Sequence, residues 1–448
     1  MAPAPDRVWH RGRFPLFYNE DLGQAAHQRG RKNRMNKITQ ALFAAEYRKF
    51  VLKDPRALDS LEPELMALFK QHHLRTDVPH VQRRVRTLRD LPARPPLGTH
   101  YLETHGVRGV VRYPLVSGEV IYKIPVFSFP MGDWKDHWTA TYLILSRNAL
   151  TLVDTGTHLS EASLREGFAV VREFYGEAVS LEQVDHVVIT HAHFDHFGGL
   201  NSVLPASRAK LHVHQWDAHT IADFPAEVER ARERIQRFLI QSGMPTEQVA
   251  VFLKMHGEPK RHFAGFPVDA PFADGERIID GFEVIHTPGH CPGLSCIRVG
   301  DVMLLGDQVL NGVTPHQFPK IYTSGSGLLN YMNSLVKISA LSETVRLGLP
   351  SHYGDIPDIE ARAMQIMGEH NLRVTDLWKD LHAPKTLFQI TNDYYRYRRG
   401  REITGYEQLL ALEEIGAHLE YMLETLSILN VRPQDSSDAT VLLYERRT

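Results

Sequence analysis

Val187-Val188-Ile189-Thr190-His191-Ala192-His193-Phe194-Asp195-His196 is an apolar run that ends in four metal-binding side chains within six residues. A strand that stops at such a cluster fixes its side chains at one edge of a sheet, with rigid backbone behind them. With period-2 alternation His191 and His193 project the same way and reach one cation, while Asp195 and His196, just beyond, turn towards a second. Imidazole and carboxylate donors suit zinc, iron or manganese, and the absence of thiolates from the motif argues against a Cys-rich structural zinc site. The plain alternative is a polar loop in a chain with 25 histidines. The tight spacing and the partners downstream outweigh it.

Those partners follow three further strand-like runs. His290 lies in Thr287-Pro288-Gly289-His290-Cys291-Pro292-Gly293, after Phe282 to His286, where Gly and Pro bend the chain sharply enough to aim an imidazole back across the sheet edge. Asp307 ends the run Val302 to Leu305, and His352 follows Leu347 to Pro350 as Ser351-His352-Tyr353-Gly354. Singly, His290 or His352 reads as a surface histidine. As a set, each just past the end of a predicted strand, they are specific.

With Asp154 in Leu152-Val153-Asp154-Thr155-Gly156, these residues stand in the order and context of five motifs. Over about residues 120 to 358 the chain resembles the metallo-β-lactamase fold hydrolases. The resemblance implies an α/β fold, an αββα sandwich. It also implies two divalent metal ions, zinc first with iron or manganese as alternatives. One is held by His191, His193 and His290, the other by Asp195, His196 and His352, and Asp307 bridges both. Asp195 and Asp154 carry the catalytic roles, Asp154 by orienting the site rather than by binding metal. One departure is visible: the last motif is usually Gly-His-Gly, and here Ser351 and Tyr353 flank the histidine.

More narrowly, the chain resembles the glyoxalase II-like branch and the β-lactamase-like protein 2 group. Gly306-Asp307-Gln308-Val309-Leu310, Gly312-Val313-Thr314-Pro315-His316 and Tyr331-Met332-Asn333-Ser334-Leu335 carry that likeness. The tail adds to it. A helical stretch at about 359 to 381, a second helix opened by Pro384-Lys385-Thr386, a long amphipathic helix at about 405 to 426 and a hairpin from Leu429 to Arg447, turning at Gln434-Asp435-Ser436-Ser437, read as a winged-helix-like module.

Three domains are expected: a basic, largely helical extension at 1–115, the metal-binding domain at 116–358 and the winged-helix-like module at 359–448. The extension offers helices at Asn36 to Leu52 and Leu61 to His73. Residues 1–100 hold 19 Lys and Arg against 10 Asp and Glu, a net +9 that leaves −11 for the remainder of a chain whose total is −2. Such asymmetry attracts an anionic partner, RNA or an acidic carrier protein among them, or docks on the acidic remainder of the chain or of a second copy in a homo-oligomer. Few aromatics interleave the arginines, which favours packing over nucleic-acid contact. No apolar run approaches the ~20 residues of a membrane helix, so no membrane partner is expected. Without an apolar leader at Met1 to Arg7 the expected location is cytoplasmic. Cys291 and Cys296 read as buried fillers, and the insertion at about 217 to 266, largely helical, as a lid or an oligomer contact.

Two cations about 3.5 Å apart would lower the pKa of a shared water and polarise a carbonyl. The leading expectation is therefore hydrolysis of a small-molecule acyl substrate, a thioester of glutathione, CoA or a carrier protein, or a lactone or ester. The alternative is a metal-dependent endoribonuclease acting on single-stranded RNA. A scaffold with a relict site, and oxidative iron chemistry, stand behind these. Nothing in the chain matches GxSxG or GxxxxGK[ST].

Overall fold

The computed structural model describes residues 109–129, 137–435 and 440–447. The helices expected at 36–52 and 61–73, and positions 436 and 437 of the expected hairpin turn, lie outside them.

Two sheets form the centre. The first has seven strands in chain order, β1 (Val111–Pro114), β2 (Val120–Phe129), β3 (His137–Leu145), β4 (Leu150–Val153), β5 (His186–Ile189), β6 (Lys210–His214) and β7 (Ala270–Phe272). The second has five, in the order β12 (Leu347–Pro350), β11 (Val302–Gly306), β10 (Ser295–Val299), β9 (Phe282–His286) and β8 (Arg277–Ile278). Both are mixed: β4 to β7 run parallel, as do β11 and β12, and the other pairs are antiparallel. The strands are apolar on both faces, the pattern of a sheet covered on both sides. Along β5, Val188 faces the gap between the sheets, whereas Val187 and Ile189 face outwards; along β11, Val302 and Leu304 face the gap and Met303 and Leu305 the other side.

Helices cover the two outer faces, which completes the αββα sandwich. On the first sheet lie α1 (Glu161–Tyr175), the single turn α2 (Phe194–Phe197) and α3 (Leu200–Ser207), through Leu164, Phe168, Val171, Phe197, Leu200 and Val203. The insertion follows β6 as α4 (Ala218–Ala222), α5 (Phe224–Gln241) and α6 (Thr246–Gly257). On the second sheet lie α7 (Leu328–Leu341) and α8 (Ile359–Asp380), which bury Met332, Leu335, Met364 and Met367 with Met303 and Leu305.

The C-terminal region continues with β13 (Lys385–Thr386), α9 (Leu387–Arg399), α10 (Gly405–Glu424), β14 (Leu429–Pro433) and β15 (Leu442–Arg446). Its three strands form a sheet of order β13-β15-β14. Thr386 and Gln389 close a capping box that starts α9 where the sequence places Pro384-Lys385-Thr386. The core is continuous across residue 358: Leu412, Ile415 and Leu419 of α10 belong to the same cluster as Phe238, Val249 and Phe252 of the insertion. Thus α5 and α6 pack against the C-terminal region, and Phe388 N donates to Ser242 O at 2.8 Å.

Candidate metal centre

The seven expected ligands sit on the loops that leave β5, β9, β11 and β12 at one edge of the sandwich. Backbone bonds tie those loops across the two sheets: Ser295 N to Thr190 O at 2.9 Å, Ala140 N to Ser351 O at 2.7 Å and Ser351 N to Gly306 O at 3.0 Å. The residue after β4 is Asp154, held in the left-handed region at φ 59°. Gly289 supports the loop before His290, where a Cβ would stand 2.3 Å from the backbone of Tyr331, so only glycine lets α7 approach.

Strand β5 stops at Ile189, so His191 and His193 leave a bend rather than a strand. They still converge, with His191 Nε2 3.0 Å from His193 Nδ1, and His290 Nε2 joins them so that the three ligand atoms lie within 4.8 Å of one another. Asp195 and His196 lie on the single turn α2, for which His193 is the N-cap, and the ring of His196 stays 4.0 Å from that of His191. His196 Nε2 lies 3.7 Å from Asp195 Oδ2, and His352 Nε2 lies 3.4 Å from the same oxygen. Asp307 stands between the two sets: its Oδ2 is 3.6 Å from both His196 Nε2 and His290 Nε2, and its Oδ1 is 3.4 Å from His352 Nε2. The seven residues come together.

Four of the five rings, all but that of His193, are oriented through the other nitrogen. Asp154 accepts from Thr190 N at 2.8 Å, from the Thr190 hydroxyl and from His196 Nδ1 at 2.8 Å. His191 Nδ1 lies 3.1 Å from that hydroxyl. His290 Nδ1 donates to His316 O at 2.7 Å, and His352 Nδ1 donates to Trp138 O at 2.9 Å. The inward atoms His196 Nε2, His290 Nε2 and Asp307 Oδ1 are buried with no hydrogen-bond partner. Buried polar atoms left so are costly, and here they converge with imidazole and carboxylate chemistry, which fits divalent cations.

Electrostatics agrees. Burial, reinforced by neighbouring imidazoles, holds His191 and His193 well below the usual histidine range, and burial lowers His290 as well, so all three offer lone pairs. Burial also acts on Asp195 and Asp307, but the surrounding imidazoles outweigh it and keep both carboxylates ionised. Against burial, Asp195, Asp307 and Asp154 push His196 up to about 10, and Asp307 and Asp195 raise His352. A cation displaces those protons on binding.

Three parts of this site carry no motif in the sequence. Asp217, just past β6, accepts from Ala192 N and Gly293 N at 2.8 Å each and from Cys291 Sγ at 3.3 Å, buckling the loops of His191 and His290 together. Cys291 is thereby a buried filler bound to Asp217. Glu413 and Glu414 of α10 reach the same neighbourhood from the C-terminal region. Glu413 accepts from His316 Nε2 at 3.1 Å and from the Tyr322 hydroxyl at 2.7 Å, and Glu414 accepts from Gln317 N at 2.7 Å. Lastly His137, at the start of β3, places Nε2 3.2 Å from Asp195 Oδ2. No ligand spacing in the sequence around His137 marks it.

Comparison with known proteins agrees with this geometry. Residues 139–347 match the family model of the Metallo-beta-lactamase superfamily. Over 312 residues the chain is 23% identical to the probable metallo-hydrolase YqjP of Bacillus subtilis (strain 168), covering 66% of this chain and 89% of that one. The crystal structure of a metallo-beta-lactamase family protein from Thermus thermophilus superposes with a TM-score of 0.58 at 25% identity, over 73% of this chain and 98% of the other. A beta-lactamase domain protein from Burkholderia ambifaria gives 0.58 at 19% identity, over 78% and 97%, a likeness of fold. In sequence over residues 139–347, in fold and in its converging donors, the chain is similar to the metallo-beta-lactamase superfamily.

Proposed function

We propose that this metallo-hydrolase holds two divalent cations, one at His191, His193 and His290 and one at Asp195, His196 and His352, with Asp307 shared, and cleaves an activated acyl substrate, a thioester or a lactone or ester. The observation that carries the reading is the position of Asp307, whose two oxygens face imidazoles of both sets at 3.4 to 3.6 Å. Two cations there supply Lewis acidity towards a carbonyl oxygen and a water of lowered pKa, with zinc, iron or manganese all compatible with the donors.

The chain's own residues prepare that chemistry. Thr190, Asp154, His316 O and Trp138 O lock four imidazoles with a lone pair inwards. The Phe318 ring, 5.5 Å from the His193 ring and 4.6 Å from that of His316, walls one side with an apolar surface. No serine nucleophile is required. The glyoxalase II-like and β-lactamase-like protein 2 kinship belongs to this reading, as does a winged-helix-like role for the C-terminal region, supported by its order helix, strand, helix, helix, strand, strand.

The test is a panel of acyl-glutathione, acyl-CoA, lactone and single-stranded RNA substrates on metal-loaded protein. Thiol release or lactone opening is expected, abolished by His193→Ala. RNA cleavage lost in the same variant, with no acyl turnover, would reverse the assignment in favour of a nuclease.

A further inference from the structure

Strand β2 pairs with β3 in regular antiparallel register from Val120↔Leu145 to Phe127↔Trp138, and then slips, so that Phe129 faces His137. The slip is a bulge at Ser128, whose hydroxyl is 2.6 Å from Thr139 Oγ1 and whose carbonyl accepts from the Thr157 hydroxyl at 2.6 Å. Bulges beside active sites re-aim a side chain, and this one turns His137 into the metal centre. Its ring stacks on Phe129 with centroids 4.5 Å apart and an 18° interplanar angle, and meets the His352 ring at 4.6 Å on another side.

From that clamp His137 Nε2 reaches Asp195 Oδ2 at 3.2 Å. The same oxygen lies 3.4 Å from His352 Nε2 and 3.7 Å from His196 Nε2. Three imidazole nitrogens thus converge on one carboxylate oxygen, more than its two lone pairs accept as hydrogen bonds. A cation among them would satisfy all four atoms at once. The ligand atoms of His137, Asp195 and His352 lie within 4.8 Å of one another, as do those of His191, His193 and His290. His352 and His137 are fixed by adjoining backbone as well, because the Nδ1 of His352 donates to the carbonyl of Trp138.

We propose that His137 Nε2 is a further protein ligand of the second cation, beside Asp195, His196, His352 and the shared Asp307. The second position then has five protein donors and the first has three with Asp307. Four donors satisfy tetrahedral zinc, whereas five suit a metal that accepts five or six ligands, such as iron or manganese. The two positions of one centre would therefore differ in metal preference. This inference rests on the two-cation reading above, and its test reads metal rather than turnover.

Full-length apo-protein, wild type, His137→Ala and His137→Phe, is titrated with Co(II). The number and affinity of bound equivalents are measured against a chelator, and hyperfine-shifted imidazole N–H resonances are counted by proton NMR. His137→Phe keeps a ring stacked on Phe129 and removes only the donor nitrogen; circular dichroism checks that each variant folds. Wild type should bind two equivalents. Both variants should keep one equivalent at wild-type affinity, bind the second at least ~100-fold more weakly, beyond the tenfold to hundredfold typical of an orienting residue, and lack one shifted imidazole resonance. If His137→Phe binds both equivalents with all shifted resonances in place, or weakens the second less than ~100-fold with the resonances unchanged, His137 only orients Asp195 and the proposal is overturned, the two-cation reading standing. If wild type takes a single equivalent, that reading fails and the proposal with it.

Discussion

Asp154 shows how much one residue carries. Its backbone sits at φ 59°, which an aspartate tolerates better than most side chains because its short polar group bonds locally. That turn lets the carboxylate meet Thr190 and His196 together, so the loop of β4 sets the ring of His196 on α2. Asp154→Asn keeps the left-handed turn but faces an amide N–H₂ towards a donor. We expect the variant to fold and to bind its more weakly held metal equivalent about 10- to 100-fold less tightly, the usual cost of losing an orienting partner, measured by chelator competition. Unchanged affinity would mean that His196 is fixed by packing alone.

The same scale separates what the sequence discloses from what it hides. His191, His193, Asp195 and His196 are legible because one loop after one strand places them, so spacing in sequence is spacing in the site. His290, Asp307 and His352 are legible because each ends a strand of the same edge. His137 is not, because a register slip between β2 and β3 aims it, and an alternating pattern of apolar residues does not reveal a bulge. Asp217 is equally silent, since its partners, two backbone N–H groups 25 and 76 residues away and the Cys291 thiol, lie on distant loops.

At the scale of elements, α10 supports the mouth of the site. Glu413, Glu414 and Glu420 of this helix accept from His316, Gln317 and Lys320 of the loop that carries Phe318. The helix was readable from its apolar spacing, but its contact with the site was not, because nothing in a local pattern says which loop a helix face will meet. Glu420 makes the contact measurable. Burial, with Glu424 nearby, raises its carboxyl to about 7 from the usual 4.5. A carboxyl raised on folding binds its proton more tightly in the native state, so its stabilisation is full below pH 4.5 and is lost as pH rises through 7. Glu420→Gln mimics the neutral acid and still accepts from Lys320 N. Between pH 4.5 and 7.5 the wild type should therefore lose stability relative to the variant, by at most about 3 kcal/mol and less because the side chain is only partly withdrawn from water. Urea unfolding of both proteins across that range is the check, and parallel curves would show that the carboxyl titrates normally.

For the whole molecule, the continuity of the core decides how the chain can be cut. The sequence divides at residue 358, where the last expected ligand gives way to a new run of helices. The packing does not divide there. Met364 and Met367 of α8 lie against Met303 and Leu305 of β11, while Leu412, Ile415 and Leu419 of α10 lie in the same cluster as Phe238 and Phe252 of the insertion. Losing a buried Leu or Met side chain costs about 2–5 kcal/mol, and domains are stable by only about 5–15 kcal/mol, so removing several at once exceeds the margin. A chain ending at residue 358 should accordingly fail to give soluble, folded protein, even though it contains every proposed ligand from His137 to His352. Its outer sheet face would be exposed and apolar, and the loop from His316 to Tyr322 would lose Glu413 and Glu414. Expression of that chain, followed by size exclusion and circular dichroism, is the measurement. A soluble monomer that binds two metal equivalents would show that the sandwich is self-sufficient and that the C-terminal helices serve the substrate alone.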